Sequence, residues 1–201
     1  MAFGDFDLKT AIQTFGLAED LHTDLFLGVK PLEISEFLQA WLREFTRVAI
    51  GMNTEKARSE FIILPILVEA KRRAEVEINI HPGISFDVDK SKGLSGFCDY
   101  LIARSQEIYY LRSPLIAVVE AKKEDIVNGL GQCAAEMVAI QIFNERDGKP
   151  LPAVFGCVTS GSIWQFLKLE KDTLFIDRTE YYLGEVGKIV GILVSIGNGS
   201  I

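Results

Sequence analysis

The chain has few of the residues that most often advertise chemistry. Its 201 residues include three cysteines and two histidines. Cys98, Cys133 and Cys157 stand in apolar contexts without a Cys-x-x-Cys spacing. That excludes a zinc ribbon or a disulfide framework and fits reduced core thiols of a cytosolic protein. His22 and His81 are too few for a multi-histidine zinc site, and both are expected in loops or at the surface. There is no Gly-rich phosphate loop, no internal repeat and no low-complexity segment. The longest apolar stretches, Ile62 to Val68 and Ile189 to Ile196, fall well short of the ~20 residues of a membrane helix, so no membrane partner is expected. Met1 to Asp7 has neither a basic n-region nor an apolar h-region, so no secretory leader is expected. Positive charge is also in deficit. A net charge of −7 argues against a general DNA-coating protein. It leaves room for an enzyme, because acids gathered at a metal site add to the same total.

What is present is apolar pattern. Hydrophobic residues make up 48% of the chain, enough for one domain over 1–201. Ile34, Phe37, Leu38, Trp41, Leu42, Phe45, Val48 and Ala49 recur at helical steps, and Gly51-Met52-Asn53 ends that helix. A second helix is expected from about Thr54, its N-cap, to Ala74, kinked or split at Pro65. Val76 to Ile80 and Ile84 to Val88 read as strands turning at His81-Pro82-Gly83. Phe97 to Ala103 and Leu115 to Val119 are short runs of branched and aromatic residues, the pattern of neighbouring buried strands. Gly129 to Asn144 reads as a helix, long enough for a crossover to a parallel strand. Ala153 to Thr159 and Ser162 to Leu169 read as a hairpin through Ser160-Gly161, Leu174 to Asp177 as a further strand, and Glu185 to Ile196 as a closing helix. The sum is an α/β layer arrangement.

Charge interrupts the two core strands at few points. Asp99 lies inside the first, and Glu120-Ala121-Lys122 closes the second. Burying isolated carboxylates costs several kcal/mol unless a cation or hydrogen-bond donors compensate, so acids here suggest a metal site. Residues two apart on a strand share a face, so Glu120 and Lys122 point into one cavity while Ala121 can lend its carbonyl. Asp99 and Glu120 are hard oxygen ligands suited to Mg²⁺ or Mn²⁺, and Lys122 can orient or deprotonate a water.

At these residues the chain resembles the PD-(D/E)xK nuclease superfamily, the restriction-endonuclease-like fold. The match is Asp99 on one strand, Glu120-x-Lys122 on the next and a helix immediately after. Glu60, in Arg58-Ser59-Glu60-Phe61, stands where many members carry a glutamate on the preceding helix, and Gln132 where some carry a glutamine on the following one. The resemblance implies a central mixed sheet flanked by helices, with a core over about 54–159. It leaves an extra N-terminal helix and a C-terminal hairpin plus helix as additions. It implies Mg²⁺-dependent hydrolysis of DNA phosphodiesters by Asp99, Glu120 and Lys122, with Glu60 and Gln132 in support, and it admits a homodimer. Cys98 replaces the motif's proline. Glu136 stands four residues after Gln132 where one subgroup has tyrosine, so the chain is not assigned to that subgroup.

Ordinary readings stand beside these. Glu-x-Lys is common by chance: Val68-Glu69-Ala70-Lys71 repeats Val119-Glu120-Ala121-Lys122. The first copy lies on a helical pattern and reads as an exposed turn leading into Arg72-Arg73. Glu120 and Lys122 could form only an ion pair, Asp99 could cap the turn after Gly93, and Glu60 or Gln132 could be solvated helix residues. Lys123, Glu124 and Asp125 read as a solvated loop, and Trp41 and Trp164 as core. Lys71, Arg72, Arg73, Lys90 and Lys92 could guide a duplex or be plain surface. A non-catalytic binding or assembly module, using the apolar helix from Ile189 to Val194, is the competing functional class.

Overall fold

The computed structural model describes residues 1–123 and 125–201; Glu124, read above as loop, lies outside them. The described residues form a seven-stranded mixed sheet flanked by helices, in the order β1-β7-β6-β5-β4-β3-β2. The strands are β1 (Ala18–Asp20), β2 (Asn79–Ser85), β3 (Phe97–Ala103), β4 (Leu115–Ala121), β5 (Val154–Thr159), β6 (Ile163–Glu170) and β7 (Thr173–Tyr182). β2, β3 and β4 run antiparallel in succession, and β4 pairs parallel with β5. The parallel step requires a long crossover, which α5 (Val127–Arg146) supplies.

Two apolar layers sandwich the sheet. One packs α5 and α1 (Leu8–Phe15) against it through Cys133, Met137, Leu101 and Val118. The other packs α2 (Glu36–Met52), α4 (Leu64–Arg73) and α6 (Val186–Asn198) against it through Leu38, Ile66, Ile192 and Phe166. Gly131 is where α5 and the start of α1 touch: a Cβ there would stand 2.1 Å from the backbone carbon of Asp7.

The helix after Thr54 is divided, and the division has a visible cause. α3 (Glu55–Arg58) runs into a π-helical turn, Ser59–Ile63, and then into α4 with Pro65 in its first turn. Proline has no N–H to give the carbonyl four residues back. That carbonyl belongs to Phe61, and it accepts the Trp41 indole N–H at 2.9 Å instead. Trp41 therefore closes a backbone account that Pro65 leaves open.

Several expectations are corrected. His81-Pro82-Gly83 is not a turn between two strands but the middle of β2, which pairs with β3 from Asn79 to Ser85. β2 ends the sheet, and an edge strand tolerates a proline because one side of its ladder is unpaired. His81 is accordingly buried, not a surface residue. The C-terminal hairpin is not an addition: β6 and β7 continue the sheet, and β1, which the pattern did not reveal, extends it beyond β7. The apolar face of α6 is not free for a partner, since Ile189, Val190, Ile192 and Ile196 are buried in the core. The start of α2, which the pattern left loose, is capped by Ser35, whose Oγ accepts the Leu38 amide at 3.2 Å.

The first Glu-x-Lys copy is also not an exposed turn. Glu69 is 3% exposed and accepts the Ser35 amide at 2.9 Å, the Ser35 hydroxyl at 2.7 Å and Arg73 Nε at 3.1 Å. Burial works against the charge, but Ser35 and Arg73 outweigh it and hold the carboxyl below its ordinary range. Glu69 thus ties α4 to the cap of α2. Replacing it by alanine should cost about 1–3 kcal/mol, because it removes the carboxylate that accepts both the Ser35 amide and the Ser35 hydroxyl. A urea titration should show a lower midpoint at unchanged slope.

Candidate active site

β3 and β4 pair through Tyr100 and Val119, so Asp99 and Glu120 come next along the ladder, at one end of the sheet. There the two acids meet. Asp99 Oδ2 accepts the Ala121 amide at 2.8 Å, and the charge of Asp99 bears on the Glu120 carboxyl. Asp99 therefore does not cap the preceding turn; Asp87 serves there, accepting the Gly96 amide at 3.3 Å. Glu120 is 3% exposed, and its Oε2 has no hydrogen-bond partner.

Lys122 converges on the same place from the end of β4. Its Nζ lies 2.6 Å from Glu120 Oε1 and 3.0 Å from Gln132 Oε1 on α5. The strand end gains one further tie, from the Lys122 amide to the Thr159 carbonyl at 2.8 Å. Gly129 makes room for the lysine: a Cβ there would stand 3.1 Å from Lys122 Cε and 2.5 Å from Val158 Cγ1. Gln132 in turn donates its Nε2 to Glu136 Oε1 at 3.1 Å. Asp99, Glu120, Lys122 and Gln132 are thus brought together, with Ala121 contributing its amide to Asp99.

Glu60 is placed differently from expectation. It is half-exposed, paired with Lys56 at 2.8 Å, and lines a cleft of about 490 Å³ together with Glu55, Ser59, Asp99 and Tyr100. Glu55 lines the same cleft, and the charges of Lys122 and Asp99 both bear on its carboxyl. The sequence signal for Glu55 was its position directly after the Thr54 cap, where a helix starts beside the site. Glu136 was the other omission. It is completely buried, and its signal was a lone acid in Cys133-Ala134-Ala135-Glu136-Met137-Val138.

The electrostatics follow from burial. Burial raises Glu120 to about 8, and the neighbouring Asp99 pushes the same way against Lys122. Burial also raises Asp99, opposed by the Ala121 amide and Lys122. Burial raises Glu55 too. Desolvation works against the Lys122 ammonium, but Glu120 outweighs it and holds the proton more firmly than usual. The arrangement is one ammonium beside two carboxyls that burial pushes towards their neutral forms.

The donor set suits a hard divalent cation. Glu120 Oε2 is a buried oxygen with nothing to bind, and it lies beside a second carboxyl that opens onto a cleft. Among the described residues no group of three or more His, Cys, Asp or Glu side chains forms a ready metal cage. That pattern does not match structural zinc; Mg²⁺ needs only one or two carboxylates, with waters and phosphate completing its shell. The basic residues considered as guides for a duplex are largely engaged. Lys71 bonds Asn79, Arg73 bonds Glu69 and the Glu33 carbonyl, and Lys90 pairs with Asp87. No helix is long and apolar enough to cross a membrane among the described residues.

No family model, curated protein or solved structure matches this chain.

The raised Glu120 has a pH consequence. Between the ordinary carboxylate range and about 8, the folded chain holds a proton at Glu120 that the unfolded chain releases. Stability therefore falls as pH rises through that window. Glu120→Gln should gain on the wild-type protein by more than about 1 kcal/mol between about pH 5 and about pH 9, read from denaturant midpoints at both ends.

Proposed function

We propose that this chain is a metal-dependent nuclease of the PD-(D/E)xK, restriction-endonuclease-like kind, hydrolysing DNA phosphodiester bonds. One observation carries the reading: Asp99, Glu120 and Lys122, from neighbouring strand ends, converge beside a solvent-reachable cleft, with the Lys122 ammonium 2.6 Å from Glu120. The order of elements supports it, with a helix before the two site-bearing strands and a helix directly after them. Asp99 and Glu120 would hold Mg²⁺ or Mn²⁺, with the Ala121 carbonyl as a further oxygen. A bound cation of this class neutralises phosphate charge and acidifies water.

The residues of the chain supply the rest. Lys122 orients the attacking water and stabilises the developing negative charge, and Gln132 holds Lys122 in place. Glu55 is better placed than Glu60 as the auxiliary acid, because the charges of Lys122 and Asp99 both bear on its carboxyl. The cleft itself argues for a cation. Glu55, Glu60 and Asp99 line it against Lys56 alone, so a phosphate strand meets net negative charge there unless metal ions balance it.

The competing reading, a module that binds without turnover, rests on the same ion pair: Glu120 and Gln132 satisfy Lys122 without any substrate. Metal separates the two. Titration calorimetry should detect Mg²⁺ or Mn²⁺ binding in the wild-type protein and none in Asp99→Ala; no heat from the wild-type protein favours the module. Asp99→Ala, Glu120→Ala and Lys122→Ala should each lower Mg²⁺-dependent plasmid nicking by at least about 100-fold with the melting transition retained. Lys122→Ala protein that still cleaves with Mg²⁺ would remove the role given to that lysine.

A further inference from the structure

Glu136 is the least economical residue in the core. It sits in the middle of α5 with no exposed surface, among Cys133, Met137 and the Cys98 thiol, where an aliphatic side chain would pack without loss. Only one of its oxygens is used. Oε1 accepts Gln132 Nε2 at 3.1 Å, while Oε2 is buried without a partner. A core group in that condition weakens the fold, so its use must be sought in the bond it does make.

The bond determines which way Gln132 faces. A lysine ammonium has donors and no acceptor, so Gln132 must show it the amide oxygen, as it does at 3.0 Å. The amide NH₂ then points the other way and needs an acceptor inside the protein. Glu136 Oε1 is that acceptor. Without it, the orientation that Lys122 selects leaves the amide NH₂ without its partner on α5, and the flipped one sets N–H against the ammonium, so neither is well held. The link runs from the core of α5 through Gln132 to Lys122 and bypasses the strands that carry the acids.

We propose that Glu136 is a positioning residue: it holds the Gln132 amide in the orientation that presents oxygen to Lys122, and so keeps the ammonium directed at Glu120 and the reacting water. What Lys122 does there rests on the nuclease reading, while its being held does not. The role belongs to the acceptor oxygen and not to a negative charge, because glutamine at 136 offers the same oxygen in nearly the same volume. Leucine fills the space and offers none.

The test compares wild-type protein, Glu136→Gln and Glu136→Leu by two measurements. The first needs no substrate: the rate at which an N-hydroxysuccinimide acetate acylates Lys122, read by mass spectrometry against Lys168, which pairs with Glu170 at 2.7 Å and serves as the internal standard. Lys122 should react about threefold faster in Glu136→Leu, the worth of one net hydrogen bond, and return towards the wild-type rate in Glu136→Gln. The second is cleavage: Glu136→Leu should lower kcat about tenfold with KM for the nucleic acid unchanged, and Glu136→Gln should recover most of the loss. Equal Lys122 rates in all three proteins overturn the proposal, as does Glu136→Gln behaving like Glu136→Leu. So does an unchanged kcat in Glu136→Leu when the wild-type protein cleaves. If the wild-type protein does not cleave, the nuclease reading falls and the acylation rates still decide the role of Glu136. Should Glu136→Leu fail to fold, Gln132→Leu breaks the same link from a half-buried position and must speed Lys122 acylation equally.

Discussion

Two neighbouring carboxyls drawn out of water need a proton or a cation to balance them. Asp99 and Glu120 are in that relation at the end of β3 and β4, and much of the surrounding structure answers to it. Burial pushes both acids towards the neutral form, and the Lys122 ammonium pulls them back. The outcome is a buried Glu120 carboxyl behind an Asp99 that lines an open cleft. A sheet end with this composition is a poor way to build stability, because acids that repel one another are held together out of water.

The two helical layers share the task of holding it. α5 carries Gln132 and Glu136 behind Lys122, and Gly129 leaves the space through which the lysine passes. On the other side, the α3–π–α4 segment brings Glu55 to the acids and Ser59 to the Tyr100 hydroxyl. That segment keeps its path because Trp41 takes up the Phe61 carbonyl that Pro65 leaves free. A helical interruption of this kind re-aims the residues around it by a fraction of a turn, which bears on which glutamate reaches the site.

Local pattern was enough for several elements. The runs Phe97 to Ala103 and Leu115 to Val119 have the branched and aromatic content of buried strands, and both are strands. Ser160-Gly161 announced a hairpin, and β5 and β6 form it. Pro65 announced a break in the helix, and the break is there. Other elements were illegible because a partner far along the chain makes them. β1 is three residues held only by β7. β2 runs through a proline and a glycine because β3 supplies its ladder. Glu69 reads as a solvated charge until the cap of α2 is set over it.

The candidate site divides along the same line. That Glu120 and Lys122 share a face was decided by the sequence, since two residues apart on an extended chain is a fixed geometry. That Asp99 would be near them was an expectation of strand order. The tertiary structure alone decided that the charges of Asp99 and Lys122 bear on Glu55 while Glu60 pairs with Lys56, and that Glu136 lies buried behind Gln132. Positions on helices that precede or follow a sheet have no spacing rule linking them to a strand end. Only packing sets the rotation of each helix about its axis, and with it the face that meets the acids.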